Sequence, residues 1–300
     1  MDIELLKTFL SVARLKSFTL AAKELQLTQP ALSKRIKRLE AMVDSQLFDR
    51  VGNHVVVTEA GQLLQQQAPK IISDIEDAVQ NIRDLSGKVS GELHIGTSHY
   101  IGLHLLPNYL EQYVDTFEQV DVNIEFIDSE LAYERVLSGD LELALLTFPA
   151  QKDPRLEHQL IWKERLAIVC HQDYALAHEE TPLEQLQHYP CILPPAHTFP
   201  RELFEVQLEK AGVILGKVKT ANYLEVIAKL VACKMGWTLL PTRLLTEPLV
   251  SLSSKQFLSD RDMGIIYRTN KTLSNASQEL VKLLKSEKPA HVKEQASLRR

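Results

Sequence analysis

The chain has 300 residues, 45% of them hydrophobic and 24% charged, a composition that excludes a disordered or fibrous protein and suffices for two or three hydrophobic cores. No run approaches the ~18 apolar residues that cross a bilayer, and Asp2 and Glu4 stand where a signal peptide carries only positive charge, so a cytoplasmic protein without membrane contact is expected. The net charge of −5 is unevenly spread: residues 1–58 carry nine Lys and Arg against six Asp and Glu, and the remainder 25 against 33, a basic head on an acidic body.

In chain order, residues 3–15 place Ile3, Leu6, Leu10 and Ala13 on one face with Leu5, Phe9 and Val12 beside them, the pattern of a helix with a broad buried side. Ser17 or Thr19 can cap a second helix over 20–25, and Thr28 a third over 29–42, each by accepting an otherwise unpaired backbone N–H. Pro30 falls in the first turn of the third helix, where its missing donor costs little. Only Gln26, Leu27 and Thr28 separate the second and third helices, which predicts a helix-turn-helix. Gln26 stands where many such turns carry glycine, leaving the turn geometry open. Residues 47–50 and 54–57 read as short strands around Gly52-Asn53, a hairpin wing with Arg50 and His54 at its tip.

Over residues 59–86, apolar side chains recur at Leu64, Ala68, Ile71, Ile75, Ala78, Ile82 and Leu85, in steps of four and three. A mean spacing of 3.5 is that of a coiled-coil seam, on a helix on the order of 40 Å long, and predicts a homodimer, with packing on its own chain as the alternative. Pro69 interrupts the backbone bonding and should kink this helix. Beyond Gly87 the pattern alternates. Strands are expected at 92–96, 122–127, 141–146, 166–170, 191–193, 217–221, 238–240 and 263–267, and helices at 101–113, 130–137, 183–186, 201–211, 223–234 and 276–284. Such alternation implies parallel α/β sheets in two lobes with a cleft between them, and the polar tail 285–300 carries no periodicity. The expected division is 1–58 for the head, 59–87 for a linker helix, and 88–300 for a body of two lobes, 88–163 with 265–300 and 164–264.

The run Phe9-Leu10-Ser11-Val12-Ala13, then residues 17–25 (SFTLAAKEL), 28–40 (TQPALSKRIKRLE), 47–50 (LFDR) and 58–61 (TEAG), closely resembles the LysR-type transcriptional regulators. The likeness continues more weakly through 91–96, Leu106-Pro107, 141–144 and 235–241 (MGWTLLP), and so covers the chain. It implies an N-terminal winged helix-turn-helix, a long linker helix, and a two-lobed α/β domain resembling periplasmic binding proteins. It also implies homodimers, commonly assembled as homotetramers, that bind an interrupted inverted repeat in double-stranded DNA, respond to a small effector and contact RNA polymerase.

A helix entering the major groove needs polar side chains at its N-terminal end. Gln29, Ser33 and Lys34 meet that need and Pro30 can pack on a thymine methyl, while Arg35, Lys37 and Arg38 suit phosphates and Arg50 and His54 of the wing can reach phosphate or a minor groove. A solvated helix face is the bland reading of any one of these charges. In the body, Thr97, Ser98 and His99 follow the first strand, Thr147 and Phe148 the third, and His197, Thr198 and Asn222 precede helices of the other lobe. Strand ends facing helix starts favour ligands there, and these donors predict a small anionic effector. Each hydroxyl could equally be a structural cap.

No metal or cofactor is implied: His94, His99 and His104 recur at fives, out of register for ligation. Cys170, Cys191 and Cys233 have no paired spacing and read as reduced thiols, with a redox switch as the alternative. No GxSxG, HExxH, phosphate-loop or GxGxxG pattern supports an enzyme. A transport solute-binding protein is disfavoured by the basic head, and a DNA binder without an effector stays open.

Overall fold

The computed structural model describes residues 2–51, 54–85, 87–177, 183–252 and 259–286. Two compact units emerge: one, the head, is Met1–Ser86 grouped with Ser138–Asp140, and the other, the body, is Gly87–Leu137 with Leu141–Arg300.

In the head, α1 (Ile3–Leu15), α2 (Phe18–Glu24) and α3 (Gln29–Val43) enclose Leu5, Leu6, Phe9, Val12, Leu32, Ile36 and Leu39, all buried. The caps are local. Ser17, rather than Thr19, accepts from the Leu20 N–H, and Thr28 from the Ala31 N–H. Gln26 adopts φ +53°, so the turn takes the left-handed conformation that glycine would supply and a side-chain-bearing residue holds it at a steric cost. β1 (Phe48–Val51) and β2 (His54–Val57) pair antiparallel, Phe48 opposite Val57, while Gly52 and Asn53 lie outside the described residues. Thr58 ties the wing to α4 (Glu59–Asp84): its N–H donates to Leu47 O at 3.0 Å and its hydroxyl caps the Gly61 N–H. Gly61 is required by close approach, because a Cβ there would lie 2.3 Å from Leu47 O.

The apolar stripe of α4 is divided, which corrects the expectation of one continuous intermolecular seam. Ala68 and Ile72 are buried against the head core, with Leu64 and Ile71 packed beside them, so the first half is satisfied within its own chain. The second half leaves Ile75, Val79 and Ile82 38%, 44% and 69% exposed, and Leu85, just past the helix, is 85% exposed. The helix continues through Pro69.

The body contains β3 (Gly91–Thr97), α5 (His99–His104), α6 (Pro107–Thr116), β4 (Val120–Phe126), α7 (Ser129–Ser138), β5 (Leu143–Thr147) and β6 (Leu156–His171). There follow β7 (Cys191–Leu193), α8 (Phe199–Lys210), β8 (Val218–Thr220), α9 (Leu224–Ala232), β9 (Thr238–Pro241), β10 (Leu249–Ser251), β11 (Ser259–Arg268) and α10 (Asn275–Ser286). One sheet runs β10-β6-β11-β5-β3-β4, with β9 also on β6. It is mixed rather than parallel: β3, β4 and β5 are parallel, but β11 pairs antiparallel with β5 and β6, and β6 with β9 and β10. A second pair, β7 parallel to β8, reaches β9 through the Cys191–Trp237 bridge. β6 is 16 residues long and joins both lobes, pairing with β11 over its first part and with β9 and β10 over its last.

Three expectations are revised by this geometry. The strand expected at 166–170 begins at Leu156, because the mixed polarity of 156–165 belongs to a half-exposed crossing segment rather than to a loop. The single helix expected over 101–113 is α5 and α6, since Pro107 cannot donate to a continuing helix and instead opens the second one. Segment 183–186 is a 3₁₀ turn, Leu183–His188, and β10 had no strand signal. The tail from 287 lies outside the described residues.

Candidate functional site

On the head, burial of Leu32, Ile36 and Leu39 fixes which face α3 turns outward. Gln29, Pro30, Lys34, Lys37 and Arg38 are exposed and Ser33 is half-buried. Lys34, Lys37 and Arg38 have no ion-pair partner among the described residues. Arg35 differs: its guanidinium lies 3.1 Å from the Glu4 carboxylate and 3.4 Å from Thr8 Oγ1, so it clamps α3 to α1 instead of standing free for phosphate. Arg50 and His54 lie on the wing strands, their side chains outside the described residues. The face can thus offer polar groups to base edges and three uncommitted cations to the DNA.

In the body, a cavity of about 390 Å³ opens where the parallel strands of both lobes end. β3, β4 and β5 deliver Ser98, His99 and Tyr100, then Asp128, Ser129 and Glu130, then Thr147. The segments after β7 and β8 deliver Pro195, Thr198, Asn222, Tyr223 and Glu225, and β11 delivers Arg261. Of the residues singled out from sequence, Ser98, His99, Thr147, Thr198 and Asn222 therefore line one cavity. Thr97, Phe148 and His197 do not. Thr97 is fully buried at the end of β3, Phe148 packs edge-on against His158 with ring centres 5.4 Å apart, and His197 is exposed with φ +66°. The Thr198 hydroxyl also caps α8, accepting from the Arg201 N–H.

The charged residues of the wall had no sequence signal. Arg261 is 1% exposed; its guanidinium lies 2.9 Å from Glu164 Oε2 and 4.3 Å from the centre of the Tyr100 ring. The Tyr100 hydroxyl donates to Glu164 Oε1 at 2.9 Å, and Arg243 approaches the same oxygen at 3.4 Å. Burial, reinforced by the Glu164 charge, pushes the Tyr100 phenol well above its ordinary value, so it stays a donor. His104 Nε2 lies 2.7 Å from Glu225 Oε1. Glu130 accepts the Phe199 N–H, a bond from one lobe to the other, and burial raises its pKa against the opposing pull of that bond. The His99 and Tyr223 rings meet at the mouth, their centres 4.6 Å apart. Asp128, Glu130 and Glu225 line the cavity together with Arg261, which is already paired with Glu164.

Cys170 and Cys191 are buried and Cys233 is exposed. Burial lifts the Cys170 thiol to about 11 and the Cys191 thiol further. Among the described residues no group of three potential ligands could hold a metal, and no helix is long and apolar enough to cross a membrane.

Comparison with known proteins matches "LysR substrate binding domain" to residues 86–289 and "Bacterial regulatory helix-turn-helix protein, lysR family" to residues 3–62. The chain is 26% identical over 283 residues to the uncharacterized HTH-type transcriptional regulator YfeR of Shigella flexneri, covering 93% of this chain and 92% of that one. It is 30% identical over 241 residues to the HTH-type transcriptional regulator BbuR of Bordetella bronchiseptica, covering 80% and 74%. Among solved structures, a full-length OxyR variant from Pseudomonas aeruginosa aligns with a TM-score of 0.69 at 20% identity, covering 95% of both chains. Full-length CbnR in complex with its target DNA aligns at 0.66 and 18% identity, covering 95% of this chain and 99% of that one. These structural likenesses establish a shared fold.

Proposed function

This chain belongs to the LysR family of transcriptional regulators, with a DNA-binding head and an effector-binding body, and on that premise we propose how its own residues divide the work. α3 enters the major groove, where Gln29, Pro30, Ser33 and Lys34 meet base edges while Lys37 and Arg38 hold phosphates. The wing, with Arg50 and His54, follows the adjacent backbone. Residues 1–58, 59–87 and 88–300 act as reader, linker and sensor, the sensor's two lobes being 88–163 with 265–300 and 164–264. Two copies join along the exposed half of α4 and read an interrupted inverted repeat, since a two-fold dimer presents two such helices. Pairing of dimers into homotetramers and contact with RNA polymerase complete the reading. The protein works in the cytoplasm, where the DNA is, and is a regulator rather than an enzyme.

The observation that carries this proposal is the outward face of α3, where three cations lie free of any partner among the described residues while the one cation facing α1 is already paired. Binding titrations on operator and random duplexes test it. Gln29→Ala should lower operator affinity by about 1–3 kcal/mol and leave random DNA nearly unchanged. Arg38→Ala should weaken both alike and reduce the salt slope by about one. Equal losses from the two variants on both duplexes would defeat the assignment.

A further inference from the structure

The cleft carries two buried polar atoms that no group among the described residues satisfies, Arg261 Nε and Glu225 Oε2. Arg261 is 1% exposed, and both residues line the same cavity. One atom is a donor and the other a carboxylate acceptor, so a complementary occupant presents an acceptor to the first and a donor to the second. Charge decides the nature of that donor. Asp128 and Glu130 have no cationic partner among the described residues, and Glu225 has only His104. The Arg261 charge is met by Glu164, which it shares with Arg243. At an effective dielectric near 20, a unit charge about 5 Å from one carboxylate gains or loses on the order of a hundredfold in affinity according to its sign.

A second cavity of about 230 Å³ shares His99, Asp128 and Tyr223 with the first and adds Phe126, Ile127 and Leu131. Its lining is aromatic and apolar around one carboxylate, with no Lys or Arg. Ring faces and a carboxylate suit a cation. We infer that the cleft takes a small molecule bearing a protonated amine and, a few atoms away, a hydrogen-bond-accepting oxygen. The amine sits between Asp128 and Glu225 and the oxygen meets Arg261 Nε. A cavity of about 390 Å³ limits it to metabolite size. This inference rests on the proposed reading of the cleft as the effector site and names the chemical class that site accepts.

Thermal unfolding of the full-length protein, followed by tryptophan fluorescence, reads binding to the body, which holds both tryptophans, Trp162 and Trp237. The probes are the standard amino acids, aliphatic diamines and amino sugars at millimolar concentration, set against di- and tricarboxylates and sugar phosphates. At least one amine-bearing probe should raise the midpoint. Glu225→Gln should weaken it about tenfold or more, through loss of a charged hydrogen bond, and Ser98→Leu, which fills the cleft, should abolish it. If only anions stabilise the protein and Ser98→Leu removes their effect, the effector cleft stands and the amine assignment is overturned. A probe that stabilises the wild type and both variants equally overturns the cleft reading as well. Silence from every amine-bearing probe also overturns the assignment.

Discussion

Arg261→Met tests the electrostatic floor of the cleft. The substitution keeps an apolar chain of similar length but leaves Glu164, 12% exposed, without its 2.9 Å partner. Breaking one side of a buried ion pair costs about 3–5 kcal/mol, because the remaining charge stays desolvated. Here Glu164 keeps Arg243 at 3.4 Å and the Tyr100 hydroxyl at 2.9 Å, so the expected loss falls to about 2–3 kcal/mol by the same principle. Urea unfolding read by tryptophan fluorescence isolates the body, since Trp162 is 4% and Trp237 0% exposed and the head holds neither. With a urea slope of about 2–3 kcal/mol per molar, the midpoint should drop by roughly 1 M. The double variant with Glu164→Gln should recover part of that loss, because the amide carries no charge to desolvate and its oxygen still accepts the Tyr100 hydroxyl. An unchanged midpoint in the single variant, or a double variant as unstable as the single, would refute the reasoning.

Gln26→Gly should stabilise the head by about 0.5–1 kcal/mol, the relief of a left-handed residue at φ +53° less the entropy glycine loses on folding; hydrogen exchange of head amides reads it, and a destabilised head would contradict the turn geometry. If the proposed dimer forms along α4, Ile82→Asp should yield monomers in sedimentation velocity without altering head stability, whereas Ala68→Asp should unfold the head, since Ala68 is fully buried and Ile82 is 69% exposed. At pH 8 a thiol reagent should modify Cys233 and spare Cys170 and Cys191 until urea is added; rapid loss of all three would refute the burial. The Cys170 thiol titrates near 11 in the fold against an ordinary 9.0, so the folded state holds that proton more tightly. Its contribution to stability is complete below pH 9.0 and disappears as pH rises through about 11, a decline that Cys170→Ala should flatten in urea midpoints measured across that window.

What the sequence determined by itself was local. The helices of the head, the Ser17 and Thr28 caps and the start of α4 depend on residues within a turn or two of one another, and the period of the apolar positions marks the buried face before any partner is known. Ser98, His99, Thr147, Thr198 and Asn222 were legible for a similar reason, since the end of a strand and the start of a helix can be read from a short stretch of chain. The tertiary structure decided everything that depended on distant partners. It paired Arg35 with Glu4, divided the α4 stripe between the chain's own core and an open face, and drew β6 across both lobes. It brought Arg261 to Glu164 across 97 residues of sequence and left Glu225 facing the same cavity. The polarity of the cleft followed from those encounters. The energy of a charge is set by what surrounds it in space, and its neighbours in the chain say little about that.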